Sequence, residues 1–270
     1  MLTEEMLQEQ HEQDLQRLRG FRLFDDDFMT RCFDGDTESI QLILSIILGR
    51  NDIEIISVKT QYNIKNLVRR SVRLDVFARD NSGKVYNIEI QRDDRGAGFK
   101  RARYNSSLID ANVLPTGDDP NNLPETYVIF FTENDIFSEG LPLYHIDRTC
   151  IETSKPIEDE AHIVYVNGTY VGDSEIGKLI HDFKCTDADD MYYALLAKKV
   201  RFYKEDEKGV AIMCKAMEEM RNECTSRADK EAKIGIAIKL IKDGTLSLDK
   251  IAAVCNLTVE EVKELTMQPA

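Results

Sequence analysis

Asp75, Glu89 and Gln91 are two carboxylates and a carboxamide at a spacing that invites chemistry. The segment that carries them, VRLDVFA-RDNSGK-VYNIEIQ, has the pattern of a β-hairpin. Asn81-Ser82-Gly83 suits a three-residue loop with Gly83 in the left-handed conformation. With that loop Asp80 faces Lys84, and counting outward puts Asp75 opposite Glu89 and Arg73 opposite Gln91. Side chains alternate along a strand, so Arg73, Asp75 and Phe77 share a face with Asn87, Glu89 and Gln91. The other face (Val72, Leu74, Val76, Ala78, Tyr86, Ile88 and Ile90) is apolar and is expected to be core.

Carboxylates directly across a strand pair have Cβ atoms only ~4.5–5.5 Å apart and repel each other. A shared proton, with one pKa raised, relieves the repulsion. So does a divalent cation. Mg²⁺ takes one or two carboxylates together with water and phosphate oxygens, and there it could polarise a phosphodiester and acidify a water. A blander arrangement satisfies the same pattern: an amphipathic hairpin whose outer face meets water, its acids neutralised by Arg73 and nearby lysines. A register slip of one residue would separate the two acids and remove the argument.

The elements that must position this hairpin are legible around it. Asp36 or Thr37 can cap a helix over about 38–48 with Ile40, Ile43, Leu44, Ile47 and Leu48 on its apolar face. Ile53–Thr60 and Asn63–Arg70 carry weak strand signals. Residues 97–113 read as a helix after a glycine-containing loop, and 115–125 as a loop. TYVIFFT (126–132) is a continuous apolar run, the mark of a strand buried on both faces, and HIVYVN (162–167) reads as another strand. From Glu175 onward the pattern is helical. Over 233–265 it reads as helix, turn, helix, turn, helix, with Ser247 and Thr258 as N-caps. Only Thr258, with Glu261 three residues on, fits the capping box. The expected division is a leader or helix over 1–20, a core over 21–175, a helical extension over 176–232 and a small helix-turn-helix-like tail over 233–270.

Composition narrows the classes. The 270 residues are 42% hydrophobic and 31% charged, as in globular proteins. The best candidate for a membrane span, Ile40 to Leu48, is about half of the ~20 residues required and is followed by Arg50. The acidic opening MLTEEMLQEQHEQDLQ resembles neither a signal nor a transit peptide. No membrane partner is expected, and the protein is expected in the cytoplasm. Six cysteines without C-x-x-C pairs read as reduced thiols rather than a zinc site. Four histidines without matched spacing support neither a His-based metal site nor a triad. No G-x-x-x-x-G-K-[ST] motif is present. The net charge of −14 argues against non-specific coating of nucleic acid, yet Arg and Lys crowd residues 50–103. That stretch is either a local polyanion-facing surface or a solvated one.

Asp75 followed after fourteen residues by Glu89-Ile90-Gln91 resembles the D…E-x-K core of the PD-(D/E)XK nucleases. It is most similar to the branch of PD-(D/E)XK nuclease family transposases, related to recombination-promoting nucleases, in which Gln commonly replaces the final Lys. Phe99, Arg101 and Tyr104 approximate the following FxxRxxxY spacing. LPETYVIFFTENDIF, LPLYHIDR, DEAHIVYVNGTY and ADDMYYALL extend the resemblance over roughly residues 20–220. Leu74 replaces the proline of the family name.

The resemblance implies an α/β fold, a restriction-endonuclease-like core with a central mixed sheet flanked by helices, plus a helical C-terminal region. It implies Mg²⁺-dependent cleavage of DNA, with Mn²⁺ able to substitute. Asp75 and Glu89 would hold the metal, and Gln91 would place the attacking water by hydrogen bonds, being neither base nor cation. Glu38 resembles the acid that many such nucleases add to the metal site; it also fits a helix N-terminal acid opposing the macrodipole. Arg73, Arg101, Arg103 and Tyr104 would meet DNA, although Arg101 equally fits a solvated helix position and Tyr104 the core. A homodimer is the simplest way to cut both strands. The alternative is a nuclease-fold module of a mobile element or defence system that binds DNA or protein without cutting, and an RNA substrate stays open beside DNA. The tail carries Asp249, Glu260, Glu261 and Glu264 against Lys250 and Lys263, which suits a protein-binding or dimerising surface better than a DNA-reading one.

Overall fold

The computed structural model describes residues 4–64, 71–92 and 94–267. Among the expected features, the end of the strand to Arg70 and the cations Lys65, Arg69 and Arg70 lie outside the described residues, as does the side chain of Arg95. The chain forms two compact units, Met1–Met213 and Cys214–Ala270.

The first unit opens with three helices, α1 (Glu4–Arg19), α2 (Asp26–Phe33) and α3 (Thr37–Leu48). Asp36 caps α3, its Oδ1 accepting from Ser39 N, and Gly49 ends the helix at φ +62°. Strands β1 (Ile55–Ile64), β2 (Val72–Asp80) and β3 (Val85–Gln91) follow, then α4 (Phe99–Val113) and β4 (Thr126–Thr132). Next come β5 (Leu143–Ile146), a small two-stranded ribbon of β6 (Thr149–Cys150) and β7 (Lys155–Pro156), and β8 (Ala161–Asn167). Helices α5 (Glu175–Lys184) and α6 (Ala194–Glu205) precede α7 (Glu207–Asp243).

Six strands form one mixed sheet in the order β1-β2-β3-β4-β8-β5. The β1–β2, β2–β3 and β5–β8 pairs are antiparallel; β3–β4 and β4–β8 are parallel. The expected mixed α/β sheet flanked by helices is therefore present. The β3–α4–β4 crossover lays α4 over one face. There Ala102, Leu108 and Ile109 pack with Val85, Val128, Phe130 and Tyr165 in a single buried cluster. On the opposite face Phe131 stacks on Phe183 of α5, with ring centroids 4.2 Å apart, and meets Phe24 edge-on. Every residue of β4 is buried, as its continuous apolar run requires.

Two differences from the sequence reading have local causes. The first weak strand signal from Ile55 on and the described start of the second, Asn63 and Ile64, belong to one strand, β1, in which Gln61 takes φ +49° and breaks the side-chain alternation. And the middle of the hairpin's polar face does not meet water: beneath α4, Asn87 and Glu89 are fully buried and Asp75 nearly so, while Arg73 at its end stays exposed.

In the second unit, the end of α7 packs with α8 (Leu248–Cys255) and α9 (Val259–Met267) around Ala237, Ile251, Ala252, Cys255 and Val262. The Thr258–Glu261 capping box forms in both directions: Thr258 N donates to Glu261 Oε2 (2.9 Å) and Glu261 N to Thr258 Oγ1 (3.2 Å). Among the described residues, no helix is long and apolar enough to cross a membrane.

Candidate active site

The hairpin turn sets the register. Asp80 Oδ1 accepts from Ser82 N, Ser82 Oγ and Lys84 N, and its Oδ2 from the buried Tyr86 hydroxyl. Gly83 sits at φ +90°, and Asp80 N donates to Lys84 O. The ladder then runs Arg79↔Val85, Ala78↔Tyr86, Phe77↔Asn87 and Val76↔Ile88. One step further, Asp75 stands opposite Glu89, but here side chains replace the backbone bonds. Asp75 N donates to Glu89 Oε1 (3.3 Å) and Ile90 N donates to Asp75 Oδ2 (2.9 Å). The sheet forks at this point, β2 continuing against β1 and β3 against β4.

Burial desolvates both acids and raises both pKa values. For Asp75 the neighbouring Glu89 charge adds to the effect and the carboxyl is pushed up to about 8. For Glu89 the upward push of burial is opposed by the Asn87 side chain, which donates to Oε1 (3.0 Å), and by Arg101, whose Nη2 lies 2.8 Å from Oε2. Arg101 comes from the first turns of α4, and its Nη1 also donates to Gln91 Oε1 (3.3 Å).

A cavity of about 1200 Å³ opens over the fork. Asp75, Gln91, Arg101, Arg73, Arg103 and Tyr104 all line it, together with Lys100, Arg92 and Asp26; Glu89 lies beneath Arg101, without solvent exposure. Tyr104 is also packed against the core under α4, so both of its expected environments meet in one side chain. Arg92 is tied to Asp25 (2.8 Å) and Glu133 (3.4 Å) at the rim. Glu38 is exposed on the first turn of α3 and is not among the lining residues. The other acid that lines the cavity with Asp75 is Asp26, on the first turn of α2, whose Oδ1 accepts from Gln61 Nε2 (2.8 Å) and whose charge adds to the rise of the Asp75 pKa. Its sequence signal, an acid at a helix start within FDDDF, is of the same kind as that of Glu38.

The donor set at the fork is all oxygen, from two carboxyls whose pKa values are raised first by burial and, for Asp75, also by the neighbouring Glu89 charge. That chemistry fits a hard divalent cation. Elsewhere, His181, Asp182 and Cys185 bring three ligand atoms within 4.8 Å of one another, which the sequence spacing did not suggest. The two Asp182 oxygens already accept from Tyr192 N and Tyr193 N, both at 2.8 Å. Burial and neighbouring acids push the Cys185 thiol up to about 11. The trio closes the turn after α5.

A family model of PD-(D/E)XK nuclease family transposases matches residues 34–233, most of the chain and all of the fork except Asp26. The chain belongs to this family. Membership carries a nuclease or transposase type of function with DNA as substrate, and nucleases of this family generally use divalent metal ions. The family stretch takes in all six strands of the sheet and the whole Asp75–Glu89–Gln91–Arg101 cluster. No match to a curated protein or a solved structure was found.

Proposed function

We propose that this PD-(D/E)XK protein is a Mg²⁺-dependent DNA endonuclease of the transposase or recombination-promoting type, with Mn²⁺ an acceptable substitute. The observation that carries the reading is the pair of opposed buried carboxylates at the floor of a cation-lined cavity. Asp75 and Glu89 would hold the metal, with Asp26 rather than Glu38 as the additional acid. When bound, the ion supplies charge neutralisation at the phosphodiester and acidity to a water. The chain's residues do the rest. Arg73, Lys100 and Arg103 draw the phosphate backbone into the cavity, and Tyr104 offers a flat edge against it. Gln91 orients the attacking water by hydrogen bonding, since a carboxamide neither takes a proton nor carries charge. Free thiols at all six cysteines fit a reducing cytoplasm. Cutting both strands with one site per chain calls for a homodimer.

The test is cleavage of supercoiled plasmid with Mg²⁺ or Mn²⁺ by wild type, Asp75→Ala and Glu89→Ala. Metal-dependent nicking or linearisation that both substitutions abolish supports the reading; indistinguishable behaviour of all three proteins refutes it. A second reading keeps the fold as a DNA-binding module without cleavage. It is favoured by Arg101, which already neutralises Glu89, and by Gln91 standing where the family motif has lysine. Metal-dependent DNA retention without any cut product would select it.

A further inference from the structure

We infer that Arg101 is a positioning residue for Gln91: its guanidinium grips the carboxamide oxygen, Gly96 walls that oxygen in, and Gln91 is thereby turned to offer its N–H₂ to the cavity as a fixed donor. The inference rests on the nuclease reading for the acceptor, an oxygen of a DNA phosphate or of the water that attacks it. Its geometry stands by itself.

A guanidinium carries donors only, so the group that faces Arg101 Nη1 at 3.3 Å can only be the carboxamide oxygen. The other hand of the fork, Nη2, is held on Glu89 Oε2 at 2.8 Å. The planar guanidinium thus spans two partners on β3, residues 89 and 91, which side-chain alternation places on one face. With Oε1 engaged, Nε2 makes no hydrogen bond among the described residues, and Gln91 lines the cavity. Gly96 supplies the third constraint. A Cβ on it would lie 1.9 Å from Gln91 Oε1, 3.0 Å from Cδ and 3.4 Å from Arg101 Nη1. Its φ lies outside the left-handed region, so glycine here leaves room for the end of the Gln91 side chain and is not needed for backbone freedom. The wall itself is fixed, because the Tyr165 hydroxyl donates to Ala97 O at 2.9 Å.

The consequence is chemical. A carboxamide free to turn presents oxygen as readily as nitrogen, and its oxygen would repel a phosphate oxygen. Locked oxygen-inward, a neutral side chain becomes an oriented donor, which is the service a lysine would supply with a charge. Lysine at 101 could not replace the arginine, since an ammonium is a point charge without the fork that spans both partners.

The experiment uses the full chain, ¹⁵N-labelled, as wild type, Arg101→Lys and Gly96→Ala, with Gln91→Glu to assign the Gln91 side-chain amide by its disappearance. In Gly96→Ala the clash falls on the movable end of Gln91, so the fold is expected to be kept, checked by an unchanged circular dichroism melt. The latch predicts that the Gln91 amide signals move to solvent-like positions in both Arg101→Lys and Gly96→Ala. It also predicts that single-turnover plasmid cleavage falls by about 10²-fold in both, the scale of one lost oriented donor. Mn²⁺ affinity by calorimetry should stay near wild type in Arg101→Lys, which keeps the charge beside Glu89. If Arg101→Lys retains the amide position and the rate, Arg101 acts as a charge alone and the inference is overturned; an unmoved amide in Gly96→Ala overturns it as well. If wild type cuts no DNA, the nuclease reading fails, while the amide signals still decide the latch.

Discussion

At the residue scale, Asp75 sits in an electrostatic conflict with Glu89. Its carboxyl is pushed up to about 8 by burial and by Glu89. An acid raised in the fold stabilises it while protonated, and that stability is lost as pH rises from the unfolded value of about 3.9 through the folded one. Without divalent cation the protein should therefore lose stability between about pH 4 and about pH 8. Mg²⁺, which requires the ionised acids, should raise Tm more at pH 8 than at pH 6. Asp75→Asn should blunt both effects, and scanning fluorimetry at the two pH values decides; an equal Mg²⁺ gain at both contradicts the pairing. Asp26 provides a second contrast. Asp26→Asn is expected to weaken Mn²⁺ binding by about tenfold, the size of an outer contribution to a metal site, with Glu38→Gln unchanged. Calorimetry on the two variants measures both, and equal affinities would remove Asp26 from the metal site. Both are first-turn helical acids, and nothing in their spacing ranks them, because which one reaches the cavity depends on how α2 and α3 dock.

At the element scale, the hairpin was readable because turn chemistry is local. Asp80, Ser82 and Gly83 fix the loop within five residues, and the register of Asp75 against Glu89 follows by counting. Asp80→Ala strips the turn amides and the buried Tyr86 hydroxyl of their acceptor. It should cost about 2 kcal/mol in urea denaturation, the scale for buried donors left unsatisfied. No loss would mean that Gly83 sets the turn without help. The role of α4 was not readable. Arg101 looks like an ordinary helical cation until the β3–α4–β4 crossover folds it back over residues twelve and ten positions earlier. The same crossover buries Asp75, Asn87 and Glu89, which alternation alone would leave in water. The left-handed Gln61 interrupts the pattern of β1, which weakens its strand signal, and β5, four residues long, is too short for a periodic signal.

At the scale of the whole molecule, a net charge of −14 surrounds a cavity lined by Arg73, Arg92, Lys100, Arg101 and Arg103. DNA binding should accordingly be local and steeply salt-dependent. Arg73→Ala and Arg103→Ala should each reduce the slope of log K against log salt by about 1, as expected for a lost phosphate contact. Arg101→Ala should reduce it less, because its charge is committed to Glu89. Anisotropy titrations with labelled duplex in Ca²⁺ measure all three, and equal slopes would remove Arg73 and Arg103 from the contact surface. The fork in the sheet has a mechanical meaning at this scale. β1 and β2 on one side and β3, β4, β8 and β5 on the other are joined by the four rungs from Arg79↔Val85 to Val76↔Ile88. The carboxylate pair sits one step past that join, where Asp75 and Glu89 side chains take over from backbone bonds. A cation held by Asp75 and Glu89, as proposed, would add one more tie between the two halves of the sheet, just past those four rungs.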